Sequence, residues 1–147
     1  NTLHKLVDNI QRSIKIPFID IRDVIANQIK VAGFKKVGLL GLKPTMEEYF
    51  YKGRIQKHDI EVVVPNEEER RIVHNIILKE LCVGETKQSS KEQIKKIITN
   101  LIKNRAEGVI LACTEIPLLI KQEDVKVRLF DTTRIHAESA VDYSLEK

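Results

Sequence analysis

The sequence predicts an α/β protein, a parallel sheet with flanking helices. Three observations carry that expectation. Strand-like apolar runs alternate with helically periodic segments along the 147 residues, the order produced when crossover helices join parallel strands. Two of the runs, VGLLG (37–41) and GVILA (108–112), are apolar or small throughout, as strands buried on both faces are. Polar or hydroxyl-bearing stretches follow the runs where helices are expected to start: LKPT, CTE and DTTRIH.

The composition limits the function classes. With 42% hydrophobic and 31% charged residues the chain is globular in type and can fill a core. Its net charge of +4 arises from 25 basic residues mixed with 21 acidic ones, without a basic arm, and tryptophan is absent. Nucleic-acid binding is therefore not expected. No apolar run is long enough for a membrane span, and no secretory signal pattern opens the chain. A soluble, cytoplasmic protein without membrane contact is the expectation. The two cysteines, Cys82 and Cys113, make neither a disulfide framework nor a zinc pattern, so no metal site is expected.

Taken in order, residues 16–19 predict a short strand, and DIRDVIANQIKVAG a helix with Val24, Ile25, Gln28, Ile29 and Ala32 at helical spacing and Gly33 as its stop. KKVGLLG is the next strand. Thr45 and Glu48 have the spacing of a capping box, which predicts a helix start carrying Tyr49, Phe50 and Tyr51. IEVVVP is a strand ended by Pro65. Asn66 and Glu69 form a second cap-like pair before a helix that places Val73, Ile77 and Leu81 on one face. Ser90 and Gln93 predict the start of an amphipathic helix bearing Ile94, Ile97, Ile98, Leu101 and Ile102, whose lysines face solvent. GVILA and VRLF are the last strands, and Asp131 leads into a terminal helix through His136 and Val141. The polar, helix-like opening NTLHKLVDNI has no strand before it, so the chain is expected to start inside an αβ unit.

Ligands of open α/β sheets gather beyond the carboxyl ends of strands, where helix amino termini favour anions. Cys113 occupies such a position. A following helix and neighbouring hydroxyls are expected to lower its thiol pKa, although a small buried residue packed like a hydrophobe fits the same sequence. Cys82, beside Leu81 at a helix end, is expected to be structural. Thr45 and Thr114 admit both a capping and a ligand-facing role. His136 admits acid/base chemistry, packing or a bond to a carbonyl, and His58 and His74 receive no role.

Together, VGLLG with Thr45, Met46 and Tyr51, then EVVVPNEEER, ELCVGE, GVILACTEIPLLI and FDTTRIHAESAV, resemble the aspartate/glutamate racemase family over essentially the whole chain. The resemblance implies a cofactor-independent racemase of two similar α/β domains, with one cysteine from each at the cleft between them. It implies Cys113 as a catalytic thiol and Asn1, Thr2, Thr45 and Thr114 as substrate-binding residues. Glu115 and His136 would be supporting. Inverting a carbon requires removing a proton on one face and returning one on the other, which is why two acid/base groups are needed.

The opening Asn1-Thr2-Leu3-His4 resembles the family motif C-N-T-x-H from its second position, so the first thiol is expected just before Asn1 and most of a first domain upstream. Residues 1–19 would then end that first domain, 20–35 form the crossover helix, 36–132 the second domain with Cys113, and 133–147 the terminal helix. Leu42 stands where the family usually has threonine, and Ala112 where glycine is common. Aspartate or glutamate, a small acidic amino acid, is the expected substrate, and a homodimer or pairing with the first domain the expected assembly. The alternatives are an inactive carboxylate-binding or interaction fragment and a related isomerase or hydantoin racemase.

Overall fold

A computed structural model describes residues 1–145. Four parallel strands, β1 (Lys36–Gly41), β2 (Glu61–Val63), β3 (Gly108–Ala112) and β4 (Arg128–Asp131), lie in the order β2-β1-β3-β4. The central pair runs in register from Val37 opposite Gly108 to Gly41 opposite Ala112. The chain leaves β1 toward β2 on one side and returns to β3 on the other. The carboxyl ends of β1 and β3 therefore flank a topological switch point, the usual ligand position of an open sheet.

Both faces of the sheet are covered, and alternation along the strands divides the core in two. Leu40, Val109 and Leu111 face the layer built by α5 (Glu67–Lys79), α6 (Gln88–Lys103) and α7 (Ile116–Leu119). Val37, Leu39 and Ile110 face the other layer, α2 (Ile21–Val31), α4 (Tyr49–Gln56) and α8 (Thr132–Leu145). In α6, Ile94, Ile97, Ile98 and Leu101 are buried, as their spacing predicts, whereas Ile102, expected with them, is exposed. Burying four such side chains is worth roughly 6–12 kcal/mol before chain entropy is charged against it. Gly38 permits this contact, since a Cβ there would stand 2.8 Å from Leu101 Cδ1.

Local signals hold at several helix ends. Asn66 and Glu69 form a reciprocal capping box at α5, and Gly33 closes the end of α2 at φ +77°. Others are corrected. Residues 16–19 form no strand; Ile16 is exposed, and side chains rather than a neighbouring strand satisfy this backbone, with Gln11 accepting from Phe18 N–H and donating to Ile16 O. Thr45 caps nothing: it lies inside the short helix α3 (Lys43–Glu47), and extended backbone at Glu48 separates α3 from α4. Ser90 is not the start of α6, which begins at Gln88; its hydroxyl instead donates to Glu80 at 2.6 Å. Cys82 is exposed in a 3-10 turn, Leu81–Val83, not packed in the core. Of the terminal helix expected over 133–147, residues 146 and 147 lie outside the described residues. No helix among the described residues is long and apolar enough to cross a membrane.

Candidate active site

Hydroxyl, amide and thiol groups converge beyond the carboxyl ends of β1, β3 and β4. The amino-terminal 3-10 helix, Thr2–Leu6, brings Asn1 and Thr2 to this edge. Asn1 Nδ2 donates to Thr132 Oγ1 at 3.0 Å, and Thr132 donates in turn to Leu111 O at 2.8 Å. Tyr51 OH donates to Asn1 Oδ1 at 3.0 Å. The amide is thus fixed from both sides, by the first residue of α8 and by a buried tyrosine whose pKa burial raises. Thr2 and Thr45 hydroxyls lie 3.1 Å apart, and Thr45 is fully buried. That pair uses one of its two hydroxyl protons internally, leaving the other to be donated elsewhere.

Close packing sets Thr45 in place. A Cβ at Gly41 would stand 3.0 Å from Ala112 O and 3.3 Å from Thr45 Cγ2, so the glycine lets α3 approach the two central strand ends. Leu42, the next residue, packs its side chain onto the α5–α6 side of the core.

Cys113 follows β3 directly and is 8% exposed. Its thiol donates to Glu115 Oε2 at 2.9 Å. Burial, and then this bond to Glu115, push the thiol pKa up to about 12. The expectation of a lowered pKa is therefore corrected for the unliganded chain. The physical reason is local: the helix after Cys113 is only the four residues of α7, giving little dipole, while the nearest formal charge is an anionic carboxylate. Glu115 moves the other way, its pKa lowered by hydrogen bonds from Cys113 and Thr114. Near neutral pH the pair is a protonated thiol bonded to a carboxylate. Such a thiol can give a proton, and the carboxylate beside it can accept one. Through Thr132 and Leu111 O the Asn1 amide is tied to β3, the strand that Cys113 follows, which places the amino-terminal segment and the thiol on one edge.

Among the residues expected at the site, Thr2 and Thr45 share a hydrogen bond, Asn1 bonds Thr132 and Tyr51 beside them, and Cys113, Thr114 and Glu115 form a second group. His136 bonds the carbonyl of Ile19 at 2.8 Å, one helical turn beyond Thr132. Sequence reasoning left Thr132 and Tyr51 out of the site, although both lie in stretches it singled out; nothing local announces a bond between residues 131 positions apart. The described residues contain no cluster of His, Cys, Asp and Glu able to hold a metal ion.

The contrast between the two thiols is directly measurable. With iodoacetamide near pH 7.5, Cys82 is expected to be alkylated at least about tenfold faster than Cys113, which is buried, hydrogen-bonded and raised in pKa. Peptide mass spectrometry over time reads both rates, and equal rates would contradict this geometry.

A buried thiol and a set of hydroxyl and amide groups thus stand at the switch point of a parallel sheet, where open sheets bind their ligands. The model of the Asp/Glu/Hydantoin racemase family matches residues 1–140, and the chain belongs to that family. A Yersinia pestis protein, described as a putative Asp/Glu racemase, has a crystal structure that superposes with TM-score 0.94 at 44% identity over 99% of this chain. An aspartate racemase homologue from Pyrococcus horikoshii OT3 gives 0.89 at 41% identity over 97%. The aspartate racemase of Picrophilus torridus, 24% identical over 88% of the chain and 53% of its own, shares the fold with TM-score 0.68. The chain spans 64% and 63% of the first two proteins.

Proposed function

We propose that this chain forms one wall of a cofactor-independent amino-acid racemase site, acting on aspartate or glutamate, in which Cys113 transfers the α-proton on one face. The observation that carries this reading is the Cys113–Glu115 pair at the carboxyl end of the central strand, on the same edge as the Asn1, Thr2 and Thr45 donors. The α-carboxylate would be held by the one spare hydroxyl proton of the Thr2–Thr45 pair and the second amide proton of Asn1, with Thr114 alongside. The α-ammonium brings positive charge near Cys113 and opposes the effect of Glu115, lowering the thiol pKa toward the range useful for proton transfer. Glu115 would take the thiol proton as Cys113 takes the substrate proton, and return it in the reverse direction.

The opposite face needs a second group. The family resemblance assigns it to a thiol immediately before Asn1, and the tie of the Asn1 amide through Thr132 to Leu111 O, two residues before Cys113, supports a chain entering the site at that point. Residues 1–19 would then belong with a first α/β domain and 36–132 form the second. Leu3, Leu6, Ile10 and Ile16 expose apolar surface, which supports a further layer of protein against this segment, from that domain or a second copy.

A second reading, a carboxylate-binding form without turnover, is favoured by one observation, the raised pKa of Cys113. The α-proton NMR signals of aspartate and glutamate in deuterated water separate the two. Racemase chemistry predicts that these signals decay with added protein, faster than those of alanine and lysine. Bound but unexchanged aspartate and glutamate would establish the second reading.

A further inference from the structure

Two histidines outside the Cys113 group hold one short segment of backbone from opposite sides. His4, in the amino-terminal 3-10 helix, accepts a hydrogen bond from Ile21 N–H at its Nε2, 3.3 Å away. His136, in α8, donates from its Nε2 to Ile19 O at 2.8 Å. The two rings meet edge to face with centroids 5.8 Å apart, and Phe18 packs on His4 at 5.5 Å. Between the bonded positions, Asp20 caps α2 and is paired with Arg22. The elements that carry these histidines also carry site residues, since Asn1 and Thr2 precede His4 and Thr132 is the first residue of α8.

We infer that His4 and His136 are positioning residues, which clamp the 18–21 segment between the amino-terminal helix and α8 and so hold Asn1 and Thr2 against Thr132 and Thr45, and that this clamp requires a neutral His4. The chemical reason is the direction of the bonds. His4 accepts at Nε2, so its single proton sits on Nδ1; a second proton would occupy the accepting nitrogen and repel Ile21 N–H. His136, as donor to a carbonyl, has no such conflict.

The surroundings keep His4 neutral over the working range. Burial lowers its pKa to about 4; Asp20 pulls it upward, while His136 and Arg22 push it down. Lys5 and Asp8 on its own segment, Arg54 on α4 and Lys57 just beyond it line the adjoining groove. Because the folded pKa lies below the ordinary 6.5, the unfolded chain binds the extra proton first as pH falls. The contribution of neutral His4 is complete above about pH 6.5 and is lost progressively down to about 4.

The effect on catalysis rests on the racemase reading, whereas the coupling of His4 to Asn1 does not, and the test keeps them apart. In the isotope-labelled protein titrated from pH 7 to 3.5, the Asn1 side-chain amide signals are expected to shift with the same midpoint as the His4 ring. His4→Gln, which retains an acceptor but cannot be protonated there, should abolish that shared transition while leaving the thermal melt at pH 7 close to the parent. Asn1 signals indifferent to His4, or an unchanged transition in His4→Gln, would overturn the inference. In exchange assays, the fall of kcat/KM of the parent should approach about tenfold per pH unit below the His4 midpoint with a smaller change in kcat, and His4→Gln should lose this limb. A limb that persists in His4→Gln contradicts the clamp; absence of exchange in both proteins refutes the racemase reading and leaves the Asn1 titration to decide the clamp.

Discussion

Cys113→Ser is expected to slow α-proton exchange of aspartate and glutamate by at least about 100-fold, the lower end of what a positioned acid/base group contributes. Serine keeps the shape and can still donate to Glu115, so the wall of the site survives the change. What it loses is acidity, since a hydroxyl yields its proton far less readily than a thiol. Aspartate affinity should therefore change little while turnover collapses. Calorimetric titration of the variant beside its exchange rate checks both halves. Loss of binding together with exchange would mean that Cys113 is chiefly structural.

The largest stability effect is expected at the other end of the amino-terminal segment. Arg22 Nε donates to Asp20 Oδ1 at 2.8 Å and Nη2 to Oδ2 at 2.5 Å, with both side chains buried, while Nη1 reaches Phe50 O. Burial alone would raise the Asp20 pKa, but the Arg22 hydrogen bonds and charge outweigh it and hold the carboxyl below its usual range. Arg22→Met removes the compensating charge and strands a carboxylate, a change that costs about 3–5 kcal/mol. Adding Asp20→Asn, which preserves an α2 cap, should return part of the loss because the stranded charge is gone. Urea denaturation measures each variant. A cost below about 1 kcal/mol for Arg22→Met would show that water, not Arg22, solvates Asp20.

The legible parts of the sequence were those whose structure is decided locally or by burial on both faces. VGLLG and GVILA became the central strands because few other arrangements bury five consecutive small or apolar residues. The α5 capping box was legible because both of its bonds close within four residues. Residues 16–19 misled for the opposite reason: their apolar character suggested a strand, but Pro17 interrupts the donors, and Gln11 and His136 supply the bonds that neighbouring strands would. Thr45 and Ser90 carried helix-start signals that tertiary partners overrode, Thr2 in one case and Glu80 in the other.

The same limit applies to the site. Cys113 was conspicuous because of where its strand ends, yet the direction of its pKa depends on burial, on a carboxylate two residues later and on a helix of only four residues. Asn1 and Thr132 stand at opposite ends of the chain, and only the fold brings them to 3.0 Å. Arg22 was invisible as a buried charge because its partner is on its own helix end, a spacing that most often marks an exposed cap.

The central claim is that Cys113 moves the α-proton on one face of the substrate, and enantiomer-resolved deuterium incorporation tests it most directly. L- and D-aspartate are incubated separately with the protein and with Cys113→Ser in deuterated water, and α-proton loss and optical inversion are followed together. The account predicts proton loss from the enantiomer whose α-hydrogen faces Cys113, removed in the variant. Equal loss with and without the thiol would contradict it.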